Sequence, residues 1–148
     1  MFTHKELVEK AYRWAKNRHR IVIQEKGSVY ENPDIIAFSW SFSTLIEVKA
    51  NRADFLRDKG KISRRNSDYC MGTYRLYCVP KGLVKEDEIP ETWGLLEVYP
   101  SGYVKLKINI YGYGKDGNHI WRHKLTDKAH VAEKRMLYNA CLRREKIQ

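Results

Sequence analysis

The chain has 148 residues, 43% of them hydrophobic and 31% charged, with a formal net charge of +10 and a pI near 9.5. That length fits one domain, long enough to bury roughly 68–70% of its extended-chain surface, and the hydrophobic content argues against disorder. No apolar run approaches ~18 residues and the N-terminus carries no signal-peptide core, so a soluble, cytoplasmic protein is expected. The three cysteines, Cys70, Cys78 and Cys141, show no CxxC spacing and make an odd count. Reduced thiols fit that pattern better than a disulfide scaffold or a zinc site. The positive excess points to a polyanion, and nucleic acid is favoured over membrane because no long amphipathic basic helix carries the charge.

In chain order, Thr3 followed by Glu6 is a capping box. It opens a helix through about Arg18, with Leu7, Ala11, Trp14 and Ala15 on its inner face. Arg20 to Glu25 reads as a first strand, and Gly27-Ser28 turns the chain. Two further strands follow, Asp34 to Phe38 and Thr44 to Lys49, joined through Ser39 to Ser43 as a β-hairpin. Asn51 is an acceptable N-cap for a second helix reaching about Lys59 or further. Tyr74 to Val79 is a strand stopped by Pro80-Lys81-Gly82, and Gly94 to Val98 is another after a short acidic piece, Glu86-Asp87-Glu88. Past a Pro100-Ser101-Gly102 turn, Val104 to Ile110 alternates with period two. A second turn at Lys115 to Asn118 predicts a late hairpin with His119 to His123. Thr126 or Asp127 then caps a final helix through about Arg144.

The chemistry concentrates in the first hairpin. With a turn centred near Trp40 and Ser41, Asp34 falls opposite or nearly opposite Glu47, on one face. Lys49 shares that face, and Ile46 and Val48 point the other way. Like charges held opposite each other destabilise a hairpin, whereas a bound divalent cation reverses that sign. Two acids and a lysine so arranged suit a metal site for phosphodiester hydrolysis. The plainer alternative makes Glu47 and Lys49 the solvent face of an edge strand and Asp34 a turn former after Pro33. Acid-x-Lys occurs once in the chain, although composition alone predicts about two chance occurrences, so the tripeptide by itself decides nothing.

The longer run Glu47-Val-Lys-Ala-Asn-Arg-Ala-Asp-Phe-Leu-Arg-Asp-Lys-Gly-Lys61 resembles the PD-(D/E)XK nuclease superfamily of restriction endonucleases and junction resolvases. Within it, the chain is similar to the small MmcB-like DNA-repair branch, with its Asp-Ile strand, Glu-x-Lys strand and Ala-Asp-Phe helix. A later segment, Tyr69-Cys70 and then Leu76-Tyr77-Cys78-Val79-Pro80, adds to the likeness. The resemblance covers roughly residues 1 to 98. It implies an α/β, restriction-endonuclease-like three-layer core of helix, three-strand meander, helix and strand. Residues 99–148 would then be a family-specific C-terminal β-hairpin and helix on a single nuclease-like domain.

The resemblance implies a metal-dependent DNA endonuclease acting in DNA repair, recombination or mobile-element DNA processing; the rival is a non-catalytic DNA-binding accessory protein on the same fold. Asp34, Glu47 and the carbonyl of Val48 would ligate Mg²⁺ or Mn²⁺, with water filling the shell. Lys49 would hold or deprotonate the attacking water, or bind the scissile phosphate. Glu25, ending the first strand, is the first choice for a further catalytic carboxylate, because related sequences resemble this chain in having an acid there. Glu6 is explained by its capping box, and Glu9 is equally well a solvated helix residue. Arg52, Lys59, Lys61, Arg64 and Arg65 would grip the DNA backbone, although Asp54 and Asp58 can pair with Arg57 or Lys61 at helical spacing. Lys105 and Lys107 are a weaker second phosphate contact. His119 and His123, about 13 Å apart on a strand, are too distant to share one metal. Tyr74, Tyr77 and Trp93 fit core positions, while Tyr111 and Tyr113 could stack bases. Superfamily relatives often form homodimers; nothing in this sequence marks a dimer face.

Overall fold

The computed structural model describes residues 1–24, 33–59, 70–112 and 122–147. Thr3 and Glu6 form the expected capping box: the Glu6 N–H donates to Thr3 Oγ1 at 3.1 Å and the Thr3 N–H to Glu6 Oε1 at 3.4 Å. Helix α1 (His4–Lys16) starts there, buries Leu7, Ala11, Trp14 and Ala15, and ends at an Asn17 cap, slightly before the expected Arg18. The chain then lays down β1 (Ile21–Gln24), β2 (Ile35–Phe38) and β3 (Ser43–Val48). Helix α2 (Arg52–Lys59) begins at Asn51, whose Oδ1 accepts the Asp54 N–H at 2.9 Å. Strand β4 (Tyr74–Pro80), a 3₁₀ turn at Glu86–Glu88, β5 (Gly94–Val98) and β6 (Val104–Ile108) complete the sheet. Helix α3 (Asp127–Ile147) is capped by Thr126, whose Oγ1 accepts the Ala129 N–H at 3.1 Å.

The strands form one six-stranded mixed sheet in chain order. Strands β1, β2 and β3 are an antiparallel meander, β3–β4 and β4–β5 are parallel, and β5–β6 is antiparallel. A parallel neighbour requires a crossover, and α2 with its flanking residues supplies the one from β3 to β4. One face of the sheet packs Ile35, Ala37, Ile46, Val48, Leu76 and Leu96 against α1. The other packs Ile36, Leu45, Tyr77, Val79 and Leu95 against Phe55 of α2 and Ala132 and Met136 of α3. Helices on both faces explain the near-continuous apolar runs of β3 and β4, which read as strands buried on both sides. The result is a mixed α/β fold with three α-helices among the described residues.

The late hairpin is corrected at the end of its second arm. Strand β6 pairs with β5 across the Pro100-Ser101-Gly102 turn, and Arg122 and His123 are not in a strand. Residues 113–121, which hold the predicted second turn and His119, lie outside the described residues. Gly102 at φ +91° is the turn residue that needs the left-handed region.

A buried polar cluster anchors α3 to the starting end of β3 and β4. Glu133 Oε2 accepts the Ser43 hydroxyl at 2.7 Å and the Gly72 N–H at 2.8 Å. Ser43 and Thr73 exchange backbone and hydroxyl bonds at 2.9–3.1 Å. Buried Arg75 gathers the carbonyls of Cys70, Met71 and Gly72, all at 3.2 Å. Replacing Glu133 by Ala removes the acceptor of two buried donors, so it should cost about 1–3 kcal/mol. A lower urea midpoint at unchanged m checks this, and Glu133→Gln, which still accepts, should lose less.

Candidate active site

The pairs Ile35↔Ile46 and Ile36↔Leu45 set the β2–β3 register; continued by one residue, it puts Asp34 opposite Glu47. The Val48 N–H donates to Asp34 Oδ2 at 2.8 Å, which ties the loop carboxylate to the finishing end of β3. Strand β3 is not an edge. It is hydrogen-bonded to β2 on one side and β4 on the other, Glu47 is only 3% exposed, and the Lys49 side chain is 17% exposed. The plainer reading, a solvated edge carrying Glu47 and Lys49, is therefore excluded.

Lys49 turns toward α2. Its Nζ lies 3.1 Å from Asp58 Oδ1, and the Tyr77 hydroxyl donates to Asp58 Oδ2 at 2.6 Å. Asp58 is 4% exposed and Tyr77 fully buried, stacked on Trp93 at 4.6 Å and edge-on to Phe55 at 5.2 Å. The lysine thus sits at the end of a chain of charge-assisted bonds rooted in the core. An open pocket at this end of the sheet is lined by His4, Val48, Lys49, Asp54, Arg57 and Asp58. His4, at the start of α1, approaches Asp34 Oδ1 to 3.4 Å. Arg57 pairs with Asp54 at 3.2 Å, as helical spacing allows. Asp58 makes the sheet-side contacts with Lys49 and Tyr77, which its helical spacing to neighbouring cations did not suggest.

The donor chemistry suits a hard divalent cation. Asp34 and Glu47 offer carboxylate oxygens, and a backbone carbonyl with water can complete the shell. Among the described residues no group of three or more His, Cys, Asp or Glu side chains is set to hold a metal. Glu25, the expected further carboxylate, lies outside the described residues, as do Lys61, Arg64 and Arg65. Lys59 is exposed at the end of α2. Arg52 is committed elsewhere: its guanidinium meets Glu88 at 2.8 and 3.1 Å and the Leu83 carbonyl at 3.0 Å. The Arg52 hydrogen bonds, and then the Lys85 N–H, hold the Glu88 carboxyl down at about 2. To contact a phosphate, Arg52 would first have to release Glu88. Lys107 is similarly engaged. The register skip between Leu95 and Leu96 leaves it without a β5 partner, and its ammonium reaches buried Glu97 at 3.3 Å. Lys105 stays exposed.

The thiols lie as a reduced set. Cys78, paired with Val48 across β3–β4, is fully buried, and burial, then the Asp34 charge, pushes its thiol up to about 12. All three cysteines are free, and only Cys141 is exposed.

No model of a protein family matches the chain, and no curated protein matches it in sequence. Among solved structures, the chain is similar to the SPO1766 protein of unknown function from Silicibacter pomeroyi. The TM-score is 0.70 at 15% identity, covering 99% of this chain and 92% of that one. At that identity the likeness is one of fold.

Two outcomes follow from this geometry. Tyr77→Phe removes a hydroxyl donated to a buried carboxylate and should cost about 1.5–3 kcal/mol, read from urea unfolding. In the native protein a thiol reagent such as DTNB should titrate Cys141 promptly, with Cys70 and Cys78 reacting only after denaturant is added.

Proposed function

We propose that this chain is a divalent-metal-dependent DNA endonuclease on a restriction-endonuclease-like core, acting in DNA repair, recombination or mobile-element DNA processing. The observation that carries the reading is the β2–β3 register, which, continued by one residue, puts Asp34 opposite Glu47, two residues before the pocket-lining Lys49. The order helix, three-strand meander, helix, parallel strand supports it, as does the net charge of +10.

Asp34, Glu47 and the Val48 carbonyl are the groups that would hold Mg²⁺ or Mn²⁺. When bound, such an ion supplies charge neutralisation at the phosphoryl oxygens and a more acidic water. Lys49 would hold or deprotonate the attacking water, or bind the scissile phosphate as a point charge. Asp58, itself steadied by Tyr77, is a positioning residue for that ammonium. Exposed Lys59 begins the basic stretch that continues through Lys61, Arg64 and Arg65, and this stretch would take the DNA backbone by charge. Two copies acting together would cut both strands of a duplex.

The test is cleavage of labelled duplex, single-stranded, flap and four-way-junction DNAs in Mg²⁺, Mn²⁺ or EDTA. Cutting that needs metal is expected, with Lys49→Ala slower by on the order of 10²–10⁴-fold. Salt-sensitive binding without cutting on every substrate would overturn the nuclease reading in favour of the accessory DNA-binding protein. No nucleic-acid binding at all would sink both.

A further inference from the structure

A second concave surface lies at the opposite end of β3, on the α1 face of the sheet. Along β3 and the residues flanking it, Phe42, Thr44, Ile46 and Val48 share that face, and Thr44 is five residues from Lys49, about 17 Å along an extended strand. A cavity of about 510 Å³ there is lined chiefly by Arg18, His19, Phe42, Tyr74, Asn109 and Tyr111. That volume falls in the range of ligand-sized pockets. Its rings interlock: Tyr74 and Tyr111 are 4.6 Å apart, and Phe42 meets Tyr74 edge-on at 5.2 Å. Tyr111 is fixed further by a 2.9 Å bond between its hydroxyl and Thr44 Oγ1.

Two features flank this cup. The first is the run Arg13-Trp-Ala-Lys-Asn-Arg-His-Arg20, which contains no acidic residue. Arg13 is paired with Glu9 at 3.3 Å, but Lys16, Arg18 and Arg20 make no ion pair with a carboxylate among the described residues. Lys16 instead caps the Arg20 carbonyl at 3.0 Å, and Arg18 lies 4.2 Å over the Trp14 ring. The second is Trp40, fully exposed in the β2–β3 turn. That turn is held firmly: the Ser39 N–H donates to the Phe42 carbonyl at 2.8 Å, the Ser39 hydroxyl meets His19 Nδ1 at 2.5 Å, and Arg122 donates to the Ser41 carbonyl. A rigid turn that presents a large indole wholly to water forgoes its burial for no gain within the chain.

We infer that this end of the molecule binds single-stranded nucleic acid, with an unpaired base taken against Phe42 and Tyr111, which buried Tyr74 backs, a neighbouring base stacked on Trp40, and the backbone held by Lys16, Arg18 and Arg20. Aromatic faces stack bases whatever their identity, and flanking cations track the phosphates. A duplex hides its base faces, so it is the poorer ligand. A membrane would ask for a broad protruding apolar surface, whereas here Trp40 and half-exposed Ile21 project beside a run of cations and the other rings are recessed. The surface is separate from the Lys49 pocket and does not depend on whether the protein cleaves DNA.

The experiment is fluorescence anisotropy with a labelled 12-nucleotide oligo-dT and a hairpin duplex in EDTA, across a salt series. Wild type should prefer the single strand. Trp40→Ala should weaken it roughly 5- to 100-fold. Arg18→Ala should weaken it less and reduce the salt slope by about 1. Trp40→Tyr should recover most of the loss. Equal binding by wild type and Trp40→Ala would overturn the inference. So would preference for the duplex, or binding to phosphatidylserine vesicles with none to the oligonucleotide. Trp40 is exposed, so circular dichroism of its variants should match wild type.

Discussion

The register of β2 against β3 is the constraint on which the rest of this molecule depends. A slip of one residue would send Ile35 and Ala37 of β2, or else Ile46 and Val48 of β3, from the α1 core to the opposite face. It would also separate Asp34 from the end of β3. The register is set where the chain turns tightest, at Trp40 and Ser41, with Ser39 and Phe42 closing the turn. One short turn therefore fixes the geometry at both ends of β3.

Buried charge does the remaining positioning. Asp58, Arg75, Glu97 and Glu133 are all buried, and each joins elements distant in sequence or gathers a turn. Asp58 links α2 to β3 and β4 through Lys49 and Tyr77. Glu97 accepts the Gly82 N–H at 3.2 Å and pairs with Lys107, which joins β5, β6 and the turn after β4. Apolar layers tolerate sliding, but a buried carboxylate must meet its donors or lose its solvation uncompensated. These groups therefore select one docking of each helix, and the lysine of the candidate site inherits its position from that selection.

Local signals were legible in the sequence because they act over three or four residues. The Thr3–Glu6 box, the Asn51 and Thr126 caps and the inner face of α1 are of that kind, and the Asp34–Glu47 register followed from one short turn between two strands. What escaped depended on contacts between distant segments. Nothing local distinguishes Asp58 from a solvated helix acid, because its partners come from β3 and β4. Arg52 reads as a free cation until the 3₁₀ turn brings Glu88 to it, 36 residues on. Alternation along β6 shows that a strand exists but not that β5 is a neighbour it pairs with. The fold was accordingly more legible than the site. One of its pocket residues, His4, carries no sequence signal that separates it from an ordinary surface residue.

The two ends of β3 carry different chemistry for a reason that lies in the sheet itself. At the finishing end, odd positions point toward α2, where Asp58 and Tyr77 wait for a cation, so Glu47 and Lys49 fall into a polar environment. At the starting end, even positions point toward α1, whose C-terminal run is basic and whose flank with β6 contributes Tyr111, so Phe42 and Thr44 fall into an aromatic, cationic one. Period two along a single strand thus divides acid–lysine chemistry from ring-and-cation chemistry by face, and strand length divides them by distance. A polyanion that meets both would have to run the length of β3. Contact with one end therefore leaves the other free, and the two surfaces are separable by single substitutions.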